Sequence, residues 1–287
     1  MRAARARRNS DALLTVHDVG RAGDAGATRH FSDPVYYDLA YRGRREDIAF
    51  YVRLAAESGG PVLELGVGTG RIALPIARSG LEVVGVDLSA PMLQTLRAKS
   101  RLEPPEVRPR LSLVRGDMRR VRLGRRFPLV IAPFNAALHL YQRRDVEQFL
   151  STVVAHLTPS GRFVFDFSVP RPENLGADPN RRFGAPRFRH PECTALVRYA
   201  ERFEYDPFRQ ILLVHMEFRP EDGSPGWTVP LAHRQFFPQE IEALLHYNGF
   251  SELRWYSDFS ESGLDPGADF LAVSSKALRR RPIRNGG

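Results

Sequence analysis

Apolar positions along the chain fall into short runs that alternate with segments of helical period between residues 34 and 167. Val62–Leu65, broken only by Glu64, suits a strand buried on both faces, and the residues from Arg71 to Arg78 behind it suit a helix packed on that strand. Ahead of it, residues 35–41 and 48–56 carry apolar side chains at helical spacing, predicting one or two helices. Behind it the pattern predicts strands at Glu82–Val86, Leu111–Val114, Leu129–Ala132 and Arg162–Phe167. Helices are predicted from Ala90 or Pro91, where Ser89 can cap and a proline suits the first turn, and over Asp145–His156. Such alternation is the signature of a mostly parallel sheet with helices on both faces.

At Pro170 the rhythm changes. Three extended runs, 194–205, 210–219 and 228–237, are separated by Asp206-Pro207 and by Asp222-Gly223-Ser224-Pro225-Gly226, both strong turn signals. This predicts an antiparallel meander inserted after the fifth strand, over residues 168–237. The first pattern then resumes with a helix at Pro238–Tyr247, stopped by Asn248-Gly249, and strands at Glu252–Tyr256 and Phe270–Ser274. The expected fold is α/β and Rossmann-like, with seven strands, and the domain should span residues 31–275.

Composition narrows the setting. A chain of 287 residues buries roughly 75% of its unfolded surface, so a large core is available. No apolar run approaches the roughly 20 residues of a membrane helix, and no apolar secretory segment follows the basic start, so a cytoplasmic protein without membrane contact is expected. The single cysteine, Cys193, excludes an internal disulfide and a multi-cysteine metal site, and no metal is expected. Charge is unevenly placed: residues 1–10 hold four arginines, residues 276–287 hold five basic residues, and neither stretch holds an acid. Those nine account for the whole excess of 42 basic over 33 acidic residues. Residues 1–30 are therefore expected to be a disordered basic tail and residues 276–287 a second basic tail, around a neutral body that gives little reason to bind nucleic acid.

The chemistry concentrates after the first strand. Gly66, Gly68 and Gly70 remove three side chains in five positions just ahead of a helix, where backbone can approach a ligand. The spacing is not the dinucleotide fingerprint, because Arg71 stands where its third glycine would fall, and no Gly-Lys-Ser/Thr triphosphate loop follows. In an open α/β sheet ligands bind beyond the carboxyl ends of the strands. Asp87 ends the second strand, where it can accept from two ribose hydroxyls, and Asp117 lies just past the third, where it can accept from an exocyclic amine. Leu88 and Met92 could wall an adenine ring. In register with the glycine loop, these residues favour an adenosine.

With these residues in place, the chain resembles the class I S-adenosylmethionine-dependent methyltransferases, in the small-molecule N-methyltransferase subgroup. Glu64-Leu65-Gly66-Val67-Gly68-Thr69-Gly70 is similar to the family's first motif, Val86-Asp87-Leu88-Ser89 to its second, Arg115-Gly116-Asp117-Met118 to its third, and residues 127–140 stand at its fourth. The resemblance implies S-adenosylmethionine as cofactor, bound by Glu64, Gly66, Gly68, Gly70, Asp87, Leu88, Met92, Asp117, Met118 and Ala132. It also implies that an N-terminal helical segment with Tyr36 and Tyr37 folds over the cofactor, and that residues 168–237 form a substrate-side lid. The implied reaction is methyl transfer to a small molecule, most readily an amine, and a homo-oligomer is possible. Acceptor-side candidates are His139, Asn135, Tyr37 and His233, with Tyr141, His215, Arg234 and Asp166 behind them. The alternatives are an RNA methyltransferase and a non-catalytic S-adenosylmethionine-binding protein. Against the former, Ala132-Pro133-Phe134-Asn135 differs from the Asp/Asn-Pro-Pro-Tyr/Phe of amino-methylating nucleic-acid enzymes.

Overall fold

The structure, a computed structural model, describes residues 29–261 and 263–278. Most of both basic tails lies outside the described residues. Two compact units are present. One comprises Phe31–Arg171 together with the chain from Arg234 onward, and the other comprises Pro172–His233 with Arg29 and His30.

The larger unit is the expected sheet. Its strands are β1 (Val62–Leu65), β2 (Val83–Asp87), β3 (Leu111–Arg115), β4 (Phe127–Ala132), β5 (Leu157–Ser168), β10 (Phe250–Ser257) and β11 (Phe270–Ala277), in the order β10-β11-β5-β4-β1-β2-β3. Strands β1 to β5 run parallel to one another, whereas β11 is antiparallel to both β5 and β10. Helices α1 (Pro34–Ala40), α2 (Glu46–Ser58), α3 (Ala73–Arg78), α4 (Ala90–Leu102), α5 (Arg143–His156) and α7 (Pro238–Tyr247) complete it. The alternation of side chains along β1 explains the two apolar layers. Leu63 and Leu65 pack with α5 on one face, while Val62 packs with α2 and α3 on the other. Glu64 shares that second face by parity, an acid set in an apolar layer and 3% exposed.

Local chemistry sets the helix ends. Ser89 caps α4 by accepting from Met92 N at 3.4 Å, with Pro91 in the first turn, as its position suggested. Asp33 caps α1 through Tyr36 N at 3.0 Å, ahead of Pro34. The α3 helix starts at Ala73 rather than Arg71, because the first residues after the glycine loop are used in closing the turn. Strand β5 starts earlier than expected, at Leu157, and carries Pro159 and Gly161 within it.

The smaller unit differs more from expectation. Its antiparallel sheet has four strands, β6 (Phe183–Arg189), β7 (Leu196–Asp206), β8 (Ile211–Pro220) and β9 (Trp227–Arg234), in sequential order, preceded by a single helical turn, α6 (Pro172–Leu175). The β6 strand was missed because it is an edge strand: Gly184 and Pro186 break the period, and most of its residues are exposed, so no apolar alternation marks it. Pro230 likewise sits in the other edge strand, the place in a sheet where proline is tolerated.

Candidate active site

The glycine loop is shaped by three glycines with different tasks. Gly66, Gly68 and Gly70 all have positive φ, at 81°, 54° and 82°, which favours glycine at each. A Cβ on Gly70 would lie 2.2 Å from Leu96 Cδ1, and one on Gly66 would lie 3.1 Å from Ala136 Cβ. Both therefore serve close packing. At Gly68 nothing stands within 4 Å of the same position, so the space above it is open. The loop is tied to β2 by Gly66 N and Val67 N donating to Val86 O, at 2.8 and 3.0 Å.

Asp87, at the end of β2, holds the loop directly. Its Oδ2 accepts from Gly68 N at 2.7 Å and its Oδ1 from Ser89 N at 2.8 Å. Burial nevertheless raises its pKa, and those backbone donors only partly offset it. A carboxylate has about four acceptor sites, so two remain for hydroxyl donors. Glu64 lies beneath the loop with Oε2 buried and no hydrogen-bond partner. Desolvation pushes its pKa well above the carboxylate range, and the charge of Arg71 offsets this in part. Such an orphaned acid asks for a cationic or hydrogen-bond-donating partner.

Residues 62–161 match the methyltransferase domain family. Across 137 residues the chain is 31% identical to the dTDP-3-amino-3,6-dideoxy-α-D-glucopyranose N,N-dimethyltransferase of Streptomyces fradiae, covering 45% of this chain and 51% of that protein. The chain thus spans about half the length of the curated relatives it matches. The solved CcbJ methyltransferase of Streptomyces caelestis is 25% identical, with a TM-score of 0.72 over 88% of this chain and 99% of that one. In domain match and in fold, the chain is similar to the class I S-adenosylmethionine-dependent methyltransferases. CalS10 of Micromonospora echinaspora, an amino pentose methyltransferase solved with S-adenosylmethionine bound, shares the fold at 22% identity, with a TM-score of 0.62 over 84% of this chain and 96% of that one.

Other residues expected at the cofactor site stand as follows. Tyr37 is buried on α1, edge-on to Tyr41 and Phe134, with ring centroids 4.9 and 6.1 Å away, and burial raises its pKa so that the phenol stays neutral. Tyr36, beside it, is half-buried. Leu88 is 49% exposed at the turn after β2, free to cover a flat ligand. Met92 is 1% exposed, so its side chain is buried within the protein rather than presented at the surface beside Leu88. Met118 packs against the core beside β3. Asp117 is clamped by Arg119, which donates through Nε and Nη2 at 2.8–3.0 Å and bridges onward to Asp145 at 3.0 Å. Ala132 is fully buried at the end of β4.

After β4 the chain makes a turn that the sequence did not reveal. Phe134 and Asn135 both take left-handed backbone conformations, φ 57° and 63°, unusual for side-chain-bearing residues and worst for a bulky one. Asp166 holds them there: its Oδ2 accepts from Phe134 N at 2.8 Å and Tyr51 Oη at 2.7 Å, and its Oδ1 from Asn135 N at 3.2 Å. Asp166 is therefore not placed to meet an acceptor as the sequence candidates had it, since it is fully buried and its oxygens are committed to the turn. The Oδ1 of Asn135 accepts from Ser168 N and Oγ at 2.7 and 3.0 Å, closing the turn onto β5. His139 follows in a 3₁₀ turn over Ala136–His139, half-buried, with its ring edge-on to Phe31 at 5.1 Å. Tyr141 is half-buried just beyond it.

Sequence reasoning missed a second tier. Arg71 forms a forked pair with the buried Asp47, Nη1 to Oδ1 at 2.8 Å, and its guanidinium lies 4.5 Å over the Phe134 ring. Arg44 reaches the same ring at 4.9 Å and stacks at 3.7 Å on Phe270. Asp38 ties α1 to the glycine loop, accepting from Thr69 Oγ1 and Lys99 Nζ, both at 2.6 Å. The signal at Arg71, a cation directly after a glycine turn, was present in the sequence, whereas Asp47 reads as an ordinary first-turn helix acid.

His233, His215 and the sheet carrying them belong to the smaller unit. His233 is half-buried, and desolvation, with the charge of neighbouring His30, depresses its pKa to about 4, so it is neutral at physiological pH. His215 is buried, with Nε2 3.5 Å from Glu204 Oε2. Arg234 pairs with Glu240 at the start of α7 at 2.5 Å, an ion pair rather than an open cation. Among the described residues no helix is long and apolar enough to cross a membrane, and no group of three or more metal-ligating side chains occurs.

Proposed function

We propose that this chain transfers the methyl group of S-adenosylmethionine to an amine nitrogen of a small molecule. The observation that carries the cofactor is the pairing of an open cradle at Gly68 with the unpartnered, buried carboxylate of Glu64. A ligand with a cationic amino-acid end and a ribose fits these groups. Glu64 would answer the positive end, the vacant acceptor sites of Asp87 the ribose hydroxyls, and Leu88 the adenine face. Arg44, held between two phenylalanine rings, is suited to the carboxylate of the methionine part. When bound, the cofactor supplies an electrophilic methyl on a sulfonium.

The protein's own part is to position the acceptor, keep water out and take up a proton. Positioning alone supplies about 7–11 kcal/mol in well-oriented reactions, against roughly 3–5 kcal/mol from a general base. The rings of Phe31, Tyr37, Tyr41 and Phe134 form an apolar wall around the turn after β4. Histidine is the side chain able to take a proton near neutral pH, and His139 beside Phe31 is our candidate for the proton released by the methylated nitrogen. The amine class is supported by the relatives, which include sugar N,N-dimethyltransferases. Acceptor choice is assigned to the antiparallel unit with His233, the site of action to the cytoplasm, and any macromolecular association to a homo-oligomer.

The test is methyl transfer from labelled cofactor to a panel of amino sugars, amino acids and their hydroxyl counterparts, with RNA alongside. Label in amine products supports the reading. Label confined to RNA or to hydroxyl products refutes the acceptor class, and calorimetry showing no cofactor binding refutes the whole.

A further inference from the structure

Within the antiparallel sheet, Gly184 of β6 pairs with Ala200 of β7, and Ala200 pairs with Glu217 of β8, so the three lie side by side across the strands. Residues two apart on a strand share a face. The same face therefore carries Arg198 and Arg219, paired with each other on one side of this row, and Arg202 on the other. Arg182 joins Arg202 by donating to the same Glu217 carboxylate, Nε to Oε2 at 2.8 Å and Nε to Oε1 at 2.6 Å, and Arg219 Nη2 reaches it at 3.2 Å. The floor between these arginines is open: Gly184 is exposed, and a Cβ added there meets nothing within 4 Å.

The charges do not balance. Glu217 serves three arginines, and Glu221 serves Arg198 at 2.9 Å and Arg187 at 3.3 Å, so five guanidiniums face two carboxylates. Glu217 is buried and anchors the cluster, while Arg182, Arg198 and Arg219 keep 53%, 72% and 64% of their side chains exposed. Each guanidinium has five N–H donors, and Arg182 and Arg198 each give up only Nε to these acids. The acids thus fix the stems and leave the forks for a ligand. Glu204, one row beyond Arg202, faces His215 instead. A net excess of three positive charges around an open floor suits an anion carrying more than one charge, which a single carboxylate is not.

We propose that this arginine-rimmed tray binds the phosphoryl or diphosphate group of a small molecule. The inference stands apart from the methyl-transfer reading, and its experiment measures binding rather than turnover. Inorganic pyrophosphate is titrated calorimetrically into the full chain at constant ionic strength, beside Gly184→Asp, an Arg198→Gln/Arg219→Gln double variant, and Arg125→Gln as a control. Gly184→Asp sets a carboxylate on the floor without touching an arginine, so it tests the site even if the double variant fails to fold. Saturable binding with one anion per chain is expected, weakened at least about tenfold in both tray variants and unchanged in the control. A nucleoside diphosphate run in parallel identifies the source: tighter binding than pyrophosphate indicates a nucleotide-linked molecule, and equal binding indicates the free anion. Non-saturable uptake, uptake unchanged in Gly184→Asp, or tight binding of an RNA oligonucleotide that pyrophosphate does not displace would overturn the proposal.

Discussion

Replacing Asp166 tests how the turn after β4 is held. Three donors converge on its carboxylate, Tyr51 Oη, Phe134 N and Asn135 N, and both peptide N–H groups belong to residues in left-handed conformations. In Asp166→Ala all three lose their acceptor inside the protein. A buried donor left unsatisfied costs about 1–3 kcal/mol, and relaxation of the two strained residues returns part of it, so a net loss of about 3–6 kcal/mol is expected. Asp166→Asn behaves differently: with its amide oxygen at the Oδ2 position it keeps Tyr51 and Phe134, and it loses only the 3.2 Å bond from Asn135 N. That variant should fall by about 1–2 kcal/mol. Its pH response should change as well. Burial raises the pKa of Asp166, so across the window above the ordinary carboxylate value the folded state binds more protons than the unfolded one. This group therefore makes wild-type stability decline as pH rises through that window, and the asparagine variant should lack its share of the decline. Urea unfolding at several pH values, with calorimetric cofactor binding on the same samples, measures both effects. An Asp166→Ala variant within about 0.5 kcal/mol of wild type would refute the argument.

Three further outcomes follow from the same geometry. Gly70→Ala should destabilise by about 2–4 kcal/mol through its clash with Leu96, whereas Gly68→Ala should cost only about 1–2 kcal/mol of backbone strain yet weaken cofactor binding; equal melting temperatures, or equal affinities, would contradict the division of tasks. Since burial raises the pKa of Glu64, uptake of a cationic ligand should release its proton and affinity should grow with pH up to that raised value; Glu64→Gln should flatten the profile, as calorimetry in buffers of different ionisation enthalpy would reveal. Asp38→Asn should leave stability within about 1 kcal/mol, because the Lys99 pair is partly exposed, but should speed cofactor dissociation in stopped-flow fluorescence if α1 restrains the glycine loop.

Much of the fold is local information and was therefore legible in the amino-acid order. Strand and helix periods, the cap at Ser89, the glycine spacing and the acids at the ends of β2 and β3 are each properties of a few adjacent residues. An exposed edge strand has no buried face to impose a period, so β6 with Gly184 and Pro186 left no such mark. The roles of side chains that meet across the fold were legible only in three dimensions. Asp166 reads as a polar interruption in a phenylalanine-rich strand until folding brings to it Tyr51, 115 residues away, and the backbone of Phe134 and Asn135. Arg71 acquires its meaning from Asp47 and the ring of Phe134, and Glu217 from arginines on three segments. The sequence by itself determined that a glycine loop and two acids would gather at the carboxyl ends of a parallel sheet, because strand order and period dictate where loops emerge. Only the tertiary structure decided which acid stays unpartnered and which is already spent, because burial and hydrogen bonding are set by neighbours distant in the chain.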